Sequence, residues 1–361
     1  LENVLPEGNQ PTGEEGYAGQ RGNRGGKTNT NGNGRANAGR SNRGGGVAAG
    51  QNAMDFERPS QELAEQELAE EAEKVEDKTL PGQPRTPKKL TGVNPGNYRI
   101  TEADKIGTGT PGERLKQNLE AIRLVRTLQA EGRYATKEEQ AVLAKYVGWG
   151  GLANAFDEAS KQKQYREANA ELKRLLSPEE YTEALLSTRN AHYTSPKVIK
   201  AMYDLVRHLG FMGGNVLEPT VGSGNFIGLM PEDFAASSNW YAAEIDPITG
   251  ALAQYLYPEG QVMAGTGFQD AEFAYGKFDL AIGNPPFGDT RITDRNKARQ
   301  HLTRMKIHNY IISKSGMHLR PGGVMAMVIT HRFLDTKNDE ARAELAKNFR
   351  FVGAIRLPNT A

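Results

Sequence analysis

The 361-residue chain carries 45 Lys or Arg, 44 Asp or Glu and no cysteine, for a formal net charge of +1. Its length allows two domains, and the lack of cysteine suits a reducing compartment and excludes a disulfide framework or a thiolate zinc site. No run of about 18 apolar residues and no signal-peptide pattern occurs, so a soluble, cytoplasmic protein without a membrane partner is expected. The first 50 residues are crowded with Gly, Asn and Arg and have almost no aliphatic side chains. Such a segment cannot bury enough apolar surface to offset its ordering entropy and reads as disordered. The acidic run "PSQELAEQELAEEAEKVED" reads as a solvated helix, and "LPGQPRTPKK" as a linker, giving a non-globular region over 1–95. Its "RGNRGG" and "NRGGG" tracts suit a nucleic-acid tether or a plain spacer equally well.

From residue 96 to 189 the pattern is helical. "TPGERLKQNLEAIRLVRTLQAEG" has a Pro near its start, apolar residues at Leu115, Leu119, Ile122, Leu124, Val125 and Leu128, and Gly132 as a stop. A second helix is expected in "ATKEEQAVLAKYVGWGGLANAFDEA", capped by Thr136 and Glu139 and interrupted by "GWGG". A third follows Ser177 in "SPEEYTEALLSTR". Trp149 of the "GWGG" stretch has no assigned role; packing under a sheet and lying near DNA are both open.

Over 190–361 short apolar segments alternate with helical ones, and strands are expected at "NVLEP", "WYAAEI", "QVMAG", "FDLAIG" and "VMAMVI". This is the signature of an α/β, doubly wound, mainly parallel sheet covered on both faces, with its ligands at the carboxyl ends of the strands. The unusual loops all follow strands. "VLEPTVGSGNF" ends the first strand on Glu218 and runs into Gly222-Ser223-Gly224, where glycine permits a tight turn and a close ligand approach. "YAAEIDP" ends the second on Glu244 and Asp246, about 20 residues further on, where a carboxylate accepts ribose hydroxyls in dinucleotide folds. An ordinary strand-end acid and a helix cap are the plain alternatives. "GTGFQD" places Phe268 after the third strand, either against a purine or in the core. "FDLAIGNPPFGD" ends the fourth on Asn284, Pro285, Pro286 and Phe287, where two prolines stop any sheet ladder. Residues 287–320 then hold eight Lys or Arg against two acids, an excess of six that points to a polyanion or to a solvated face.

Glu-Pro-x-x-Gly-x-Gly-x-Phe, Glu-x-Asp-Pro and Asn-Pro-Pro-Phe, in that order, resemble the motifs of S-adenosylmethionine-dependent, adenine-specific DNA methyltransferases of the gamma, or Taq-like, order. "YTSPKVI" is similar to that order's first cofactor motif. The resemblance spans about residues 190–358 and implies a class I methyltransferase (Rossmann-like) sheet. It implies that Thr194, Glu218, Pro219, Gly222, Gly224, Glu244, Asp246, Phe268 and Asp270 bind S-adenosylmethionine, with Thr194 at its methionine part. The family's third motif often sets an acid beside its aromatic; here Gln269 and then Asp270 follow, and either could serve. Asn284 and the Pro285 carbonyl would accept hydrogen bonds from the amine of a flipped-out adenine in DNA, Pro286 would add rigidity, and Phe287 would stack on the base. No metal is called for.

"RYATKEEQAVLAKYVGWGGLANAFDE" also resembles the segment ahead of the methylase in very large methyltransferase-helicase proteins of phages and conjugative elements, including the defence-against-restriction type. Because the chain opens on Leu1 and stops after an apparent strand, it is expected to be a fragment of such a protein, truncated at the end of the methyltransferase domain and followed by helicase domains. Two other functions fit the same residues. One is a protein-glutamine methyltransferase, which usually carries Tyr where Phe287 stands; the other is a non-catalytic nucleic-acid-binding module on a methylase scaffold.

Overall fold

The structure, a computed structural model, describes residues 90–190, 194–337 and 340–357. The Gly/Asn/Arg-rich tail, the acidic run and the linker lie outside the described residues. The chain at 90–91 is paired: Thr91 donates its N–H to the Gly132 carbonyl at 2.9 Å and accepts from the N–H of Tyr134 at 3.0 Å.

Helix α1 (Pro111–Glu131) begins in a reciprocal Thr110/Glu113 capping box with Pro111 at its first position, and ends at Gly132 with φ of 64°. Its Leu115, Leu119, Ile122, Val125 and Leu128 are buried, while Leu124 is only half-buried. Helix α2 (Lys137–Leu143) has the expected Thr136/Glu139 box but stops well before "GWGG". Gly148 and Gly151 adopt φ of 71° and 74°, which an L side chain rarely does, so the chain turns there. Trp149 is fully buried, edge-on to Phe156 at 5.0 Å and Tyr146 at 6.3 Å, in the core of this helical part. Helix α3 (Lys163–Leu175) has no counterpart in the sequence reading. It lacks a side-chain cap and buries only Tyr165, Ala168, Asn169 and Leu172; an Arg123–Glu171 ion pair ties it to α1. Helices α4 (Pro178–Asn190) and α5 (Pro196–His208) lead into the sheet.

Strands β1 (Gly214–Glu218), β2 (Ser238–Glu244), β3 (Gln261–Ala264), β4 (Phe278–Gly283) and β5 (Leu319–Met327) form one sheet in the order β3-β2-β1-β4-β5, every pair parallel. All five expected strands are present. β5 starts earlier than "VMAMVI" because Arg320-Pro321-Gly322-Gly323 is absorbed by a register shift opposite Phe278 and Leu280. Both faces are covered. Val216, Leu280 and Ile282 join a core with α1, α5 and α6 (Pro247–Leu256), while Leu217 and Ala281 join a second with α7 (Ile307–His318). The chain runs outward from β1 through β2 to β3, then crosses back to β4 and β5. The switch point therefore lies between β1 and β4, where such sheets open a crevice at their carboxyl ends.

Candidate active site

A cavity of about 320 Å³ opens at those strand ends. Its wall includes Glu218, Pro219 and Gly222 after β1, Glu244 and Asp246 after β2, Phe268 after β3, Asn284, Pro285 and Pro286 after β4, and Thr194 ahead of α5. Gly224, Asp270 and Phe287, the other expected site residues, are not in the wall.

The two glycines of the β1 turn have different reasons to be glycine. Gly222 has φ of +55° and open space where a Cβ would stand, so only its backbone conformation demands it. At Gly224, with φ of +78°, a Cβ would lie 2.2 Å from the Tyr257 ring. That glycine serves packing against α6, not the approach of a ligand.

Three acids converge on the cavity. Glu218 is 2% exposed, and its Oε2 has no hydrogen-bond partner among the described residues. Burial, aided by the Glu244 charge, pushes its carboxyl well above the usual range. Glu244 accepts the N–H of Gly222 at 2.8 Å on Oε2 and the N–H of Asp246 at 2.9 Å on Oε1. Burial and the Asp246 charge raise it to about 7 against those bonds. Asp246 is the α6 cap: Oδ1 accepts the N–H of Ile248 at 3.1 Å and Oδ2 accepts the Thr249 hydroxyl. Its carboxyl is also raised, by burial. No Lys or Arg is among the described lining residues.

Asn284 donates from Nδ2 to Thr194 Oγ1 at 3.0 Å, which fixes the rotation of its amide. Phe287, just outside the wall, is half-buried and edge-on to His308 at 6.4 Å and 83°. Phe268 combines both of its expected readings, with one side on the cavity and the other against Phe273 and His318. Of the two candidates beside it, Gln269 lines the cavity, while Asp270 is exposed and accepts the Gln269 amide N–H at 2.9 Å.

Sequence reasoning missed the helical part's share of the wall: Tyr146, Val147 and Gly148 beside the "GWGG" stretch, and Glu183, Leu186 and Ser187 of α4. Tyr146 Oη lies 3.0 Å from Thr249 Oγ1, which in turn donates to Asp246. The "GWGG" glycines were the available signal, but nothing local shows that their loop meets a strand end so distant in sequence.

The eight cations of residues 287–320 do not form one exposed basic face. Arg299 and Lys314 are 1% and 0% exposed. Arg304, Lys306 and Arg320 pair with Glu340, Asp289 and Asp279. Arg291, Arg295 and Lys297 are exposed. The excess is thus split between core and surface, because a count along the chain does not record which way each side chain points.

The doubly wound sheet thus brings together, at its switch point, the Gly turn, the strand-end Glu set on that turn and the Asn-Pro-Pro stretch after β4, the motifs that resemble those of class I methyltransferases. Residues 237–360 match the model of the Eco57I restriction-modification methylase family. The chain is 26% identical over 247 residues, 68% of its length, to Defense against restriction protein B of Escherichia phage P1, and covers 9% of that protein. It is 24% identical over 203 residues, 49% of its length, to the Type I restriction enzyme MjaIX methylase subunit of Methanocaldococcus jannaschii, covering 36% of it. The chain thus spans about a third or less of these curated relatives. Among solved structures, a type I restriction-modification methyltransferase subunit from Streptococcus thermophilus is similar at 16% identity with a TM-score of 0.37, over 64% of this chain and 60% of that one.

Proposed function

We propose that the protein transfers a methyl group from S-adenosylmethionine to the exocyclic amine of an adenine flipped out of DNA. The observation that carries the reading is the pairing of Asn284-Pro285 with a cation-free, acid-lined cavity at the switch point. Such a wall repels phosphates and so disfavours a dinucleotide, but it suits a ligand that is positively charged and rich in hydroxyls. The residues fit S-adenosylmethionine on this ground, with a buried Glu218 oxygen left without a partner among the described residues and Glu244 already set against the Gly222 turn.

When bound, the cofactor supplies an electrophilic methyl on a sulfonium. Glu244 would accept ribose hydroxyls, Glu218 would face its positive charge, and Phe268 would offer a flat wall to the purine. Adenine's amine is a poor nucleophile because its lone pair is delocalised into the ring. The Asn284 side-chain oxygen and the Pro285 carbonyl, held in advance, favour a pyramidal nitrogen whose lone pair points at the methyl. Proline offers no N–H to compete. Phe287 would stack on the base, worth about 1–3 kcal/mol against the unstacking cost of flipping. Exposed Arg291, Arg295 and Lys297 would meet the DNA backbone. The same reading takes 96–189 as a helical module and 190–361 as the methyltransferase domain of a longer cytoplasmic protein of a phage or bacterium, with further domains such as a helicase.

The test is transfer of labelled methyl to duplex DNA followed by nucleoside analysis, with the intact protein. Label should appear in methylated adenine, and Asn284→Ala should slow transfer by about two to three orders of magnitude, the scale of losing one preorganised transition-state partner. S-adenosylmethionine affinity should barely change. Label on cytosine, or only on protein glutamine, overturns the reading.

A further inference from the structure

The loop that follows β3 has two sides. Gly267, Phe268 and Gln269 face the cavity. Behind them stands Lys314 of α7, which has no exposed surface. Its ammonium donates to three backbone carbonyls of this loop, those of Phe268, Ala271 at 3.0 Å and Gln269 at 3.2 Å. It also lies 4.6 Å from the centroid of the Phe268 ring. Arg299, equally buried, donates from Nη2 to the same Gln269 carbonyl at 3.1 Å while its Nε engages Asp294. Burying an ammonium with no carboxylate partner is costly, and a position that needed only packing would be served by Met or Leu. The Phe268 carbonyl also accepts the N–H of Ala271 at 3.3 Å and that of Gln269 the Arg299 guanidinium, while for the Ala271 carbonyl Lys314 is the donor; inward-facing carbonyls are costly to leave unpaired, and a single lysine reaches all three.

We propose that Lys314, seconded by Arg299, is a positioning residue that holds Phe268 and Gln269 in the conformation that receives the cofactor's adenine ring. The inference rests on the reading of the cavity as an S-adenosylmethionine site. It reassigns two cations of a segment that the sequence alone points at nucleic acid: they act inward, on the cofactor loop. Burial first, and then the Arg299 charge, lower the Lys314 ammonium to about 8, against the raising influence of Glu272, Asp294 and Asp270. His318 on the same helix is lowered to about 4 by burial and is neutral in this range, and Glu244 on the cavity wall, raised to about 7, gives its rise in ligand affinity at lower pH. The cationic form that makes the three bonds is therefore lost as pH rises through about 8.

The probes are adenosine and purine riboside, which lacks the exocyclic amine; neither titrates near neutrality or in mild alkali. Wild-type protein should prefer adenosine, and that affinity should fall as pH rises through about 8. Lys314→Met should weaken adenosine binding about tenfold or more, as loss of a supporting contact behind a ligand group does, and should erase the preference over purine riboside. If Lys314→Met does not fold, the wild-type pH profile decides alone. An adenosine affinity flat across that range, or a folded Lys314→Met with unchanged preference, overturns the inference. Wild-type protein that binds neither adenosine nor S-adenosylhomocysteine overturns instead the cofactor reading beneath it.

Discussion

Two buried charged groups flank the loop after β3, and the protein treats them oppositely. Arg299, Lys314 and Asp294 are satisfied by the protein itself. Asp294 accepts from Arg299 and from Tyr310, and every donor of Lys314 meets a carbonyl. Glu218, Glu244 and Asp246, also at strand ends, meet backbone N–H groups and one hydroxyl but no cation, and one Glu218 oxygen meets nothing among the described residues. A paired buried charge is scaffold. Clustered buried acids without a counter-charge carry an energetic cost that a ligand can relieve, and this supports the proposed reading of the second group as the binding site.

The sharpest way to break the comparison is to unpair the scaffold. Asp294→Ala leaves Arg299 buried without its principal partner and should destabilise the fold by about 3–5 kcal/mol in denaturant unfolding. Although burial opposes it, hydrogen bonds from Arg299 and Tyr310 hold the Asp294 carboxyl below its usual range. A depressed carboxyl stabilises the fold above its unfolded value of about 3.9 and loses that contribution as pH falls through the lowered folded value. Asp294→Asn should flatten this acid limb. Glu218→Gln, in contrast, should cost the free protein less than about 1 kcal/mol, since burial already favours the uncharged carboxyl. A loss as large as that of Asp294→Ala would place Glu218 with the scaffold.

A middle-sized effect is expected at Glu244. Glu244→Gln should weaken S-adenosylmethionine binding by about 1–3 kcal/mol through lost charge-assisted bonds, measured by calorimetry. Because the wild-type carboxyl is raised to about 7, it favours the free fold below the ordinary Glu value and loses that contribution as pH rises through 7. Cofactor affinity should move the other way, rising as the carboxylate ionises, and Glu244→Gln should lack that rise. Unchanged affinity would shift the ribose contact elsewhere.

The smallest effect serves as the control. Removing residues 1–89, a Gly/Asn/Arg-rich tail followed by an acidic run and a Pro-rich linker, should leave Tm and cofactor affinity unaltered. If the Arg/Gly tracts tether nucleic acid, non-specific DNA affinity should weaken and its salt dependence become shallower. A drop in Tm would show that this segment contributes to the core.

The sequence by itself determined what depends on local pattern: five parallel strands, the helix cap at Thr136, the helix stop at Gly132, and the acids and Asn-Pro-Pro-Phe at strand ends. These are legible because strand alternation, capping chemistry and proline's missing N–H act within a few residues. Helix α3 was not, since it lacks a cap and a broad apolar stripe and is held by α1 and its neighbours. Only the tertiary structure decided that Tyr146 and Gly148 reach the cavity, that Gln269 and not Asp270 faces it, and that Asp246 spends its carboxylate on capping α6. It alone turned Arg299 and Lys314 inward. Each of these is settled by side-chain direction and by contacts between segments distant in the chain, and neither composition nor periodicity encodes those.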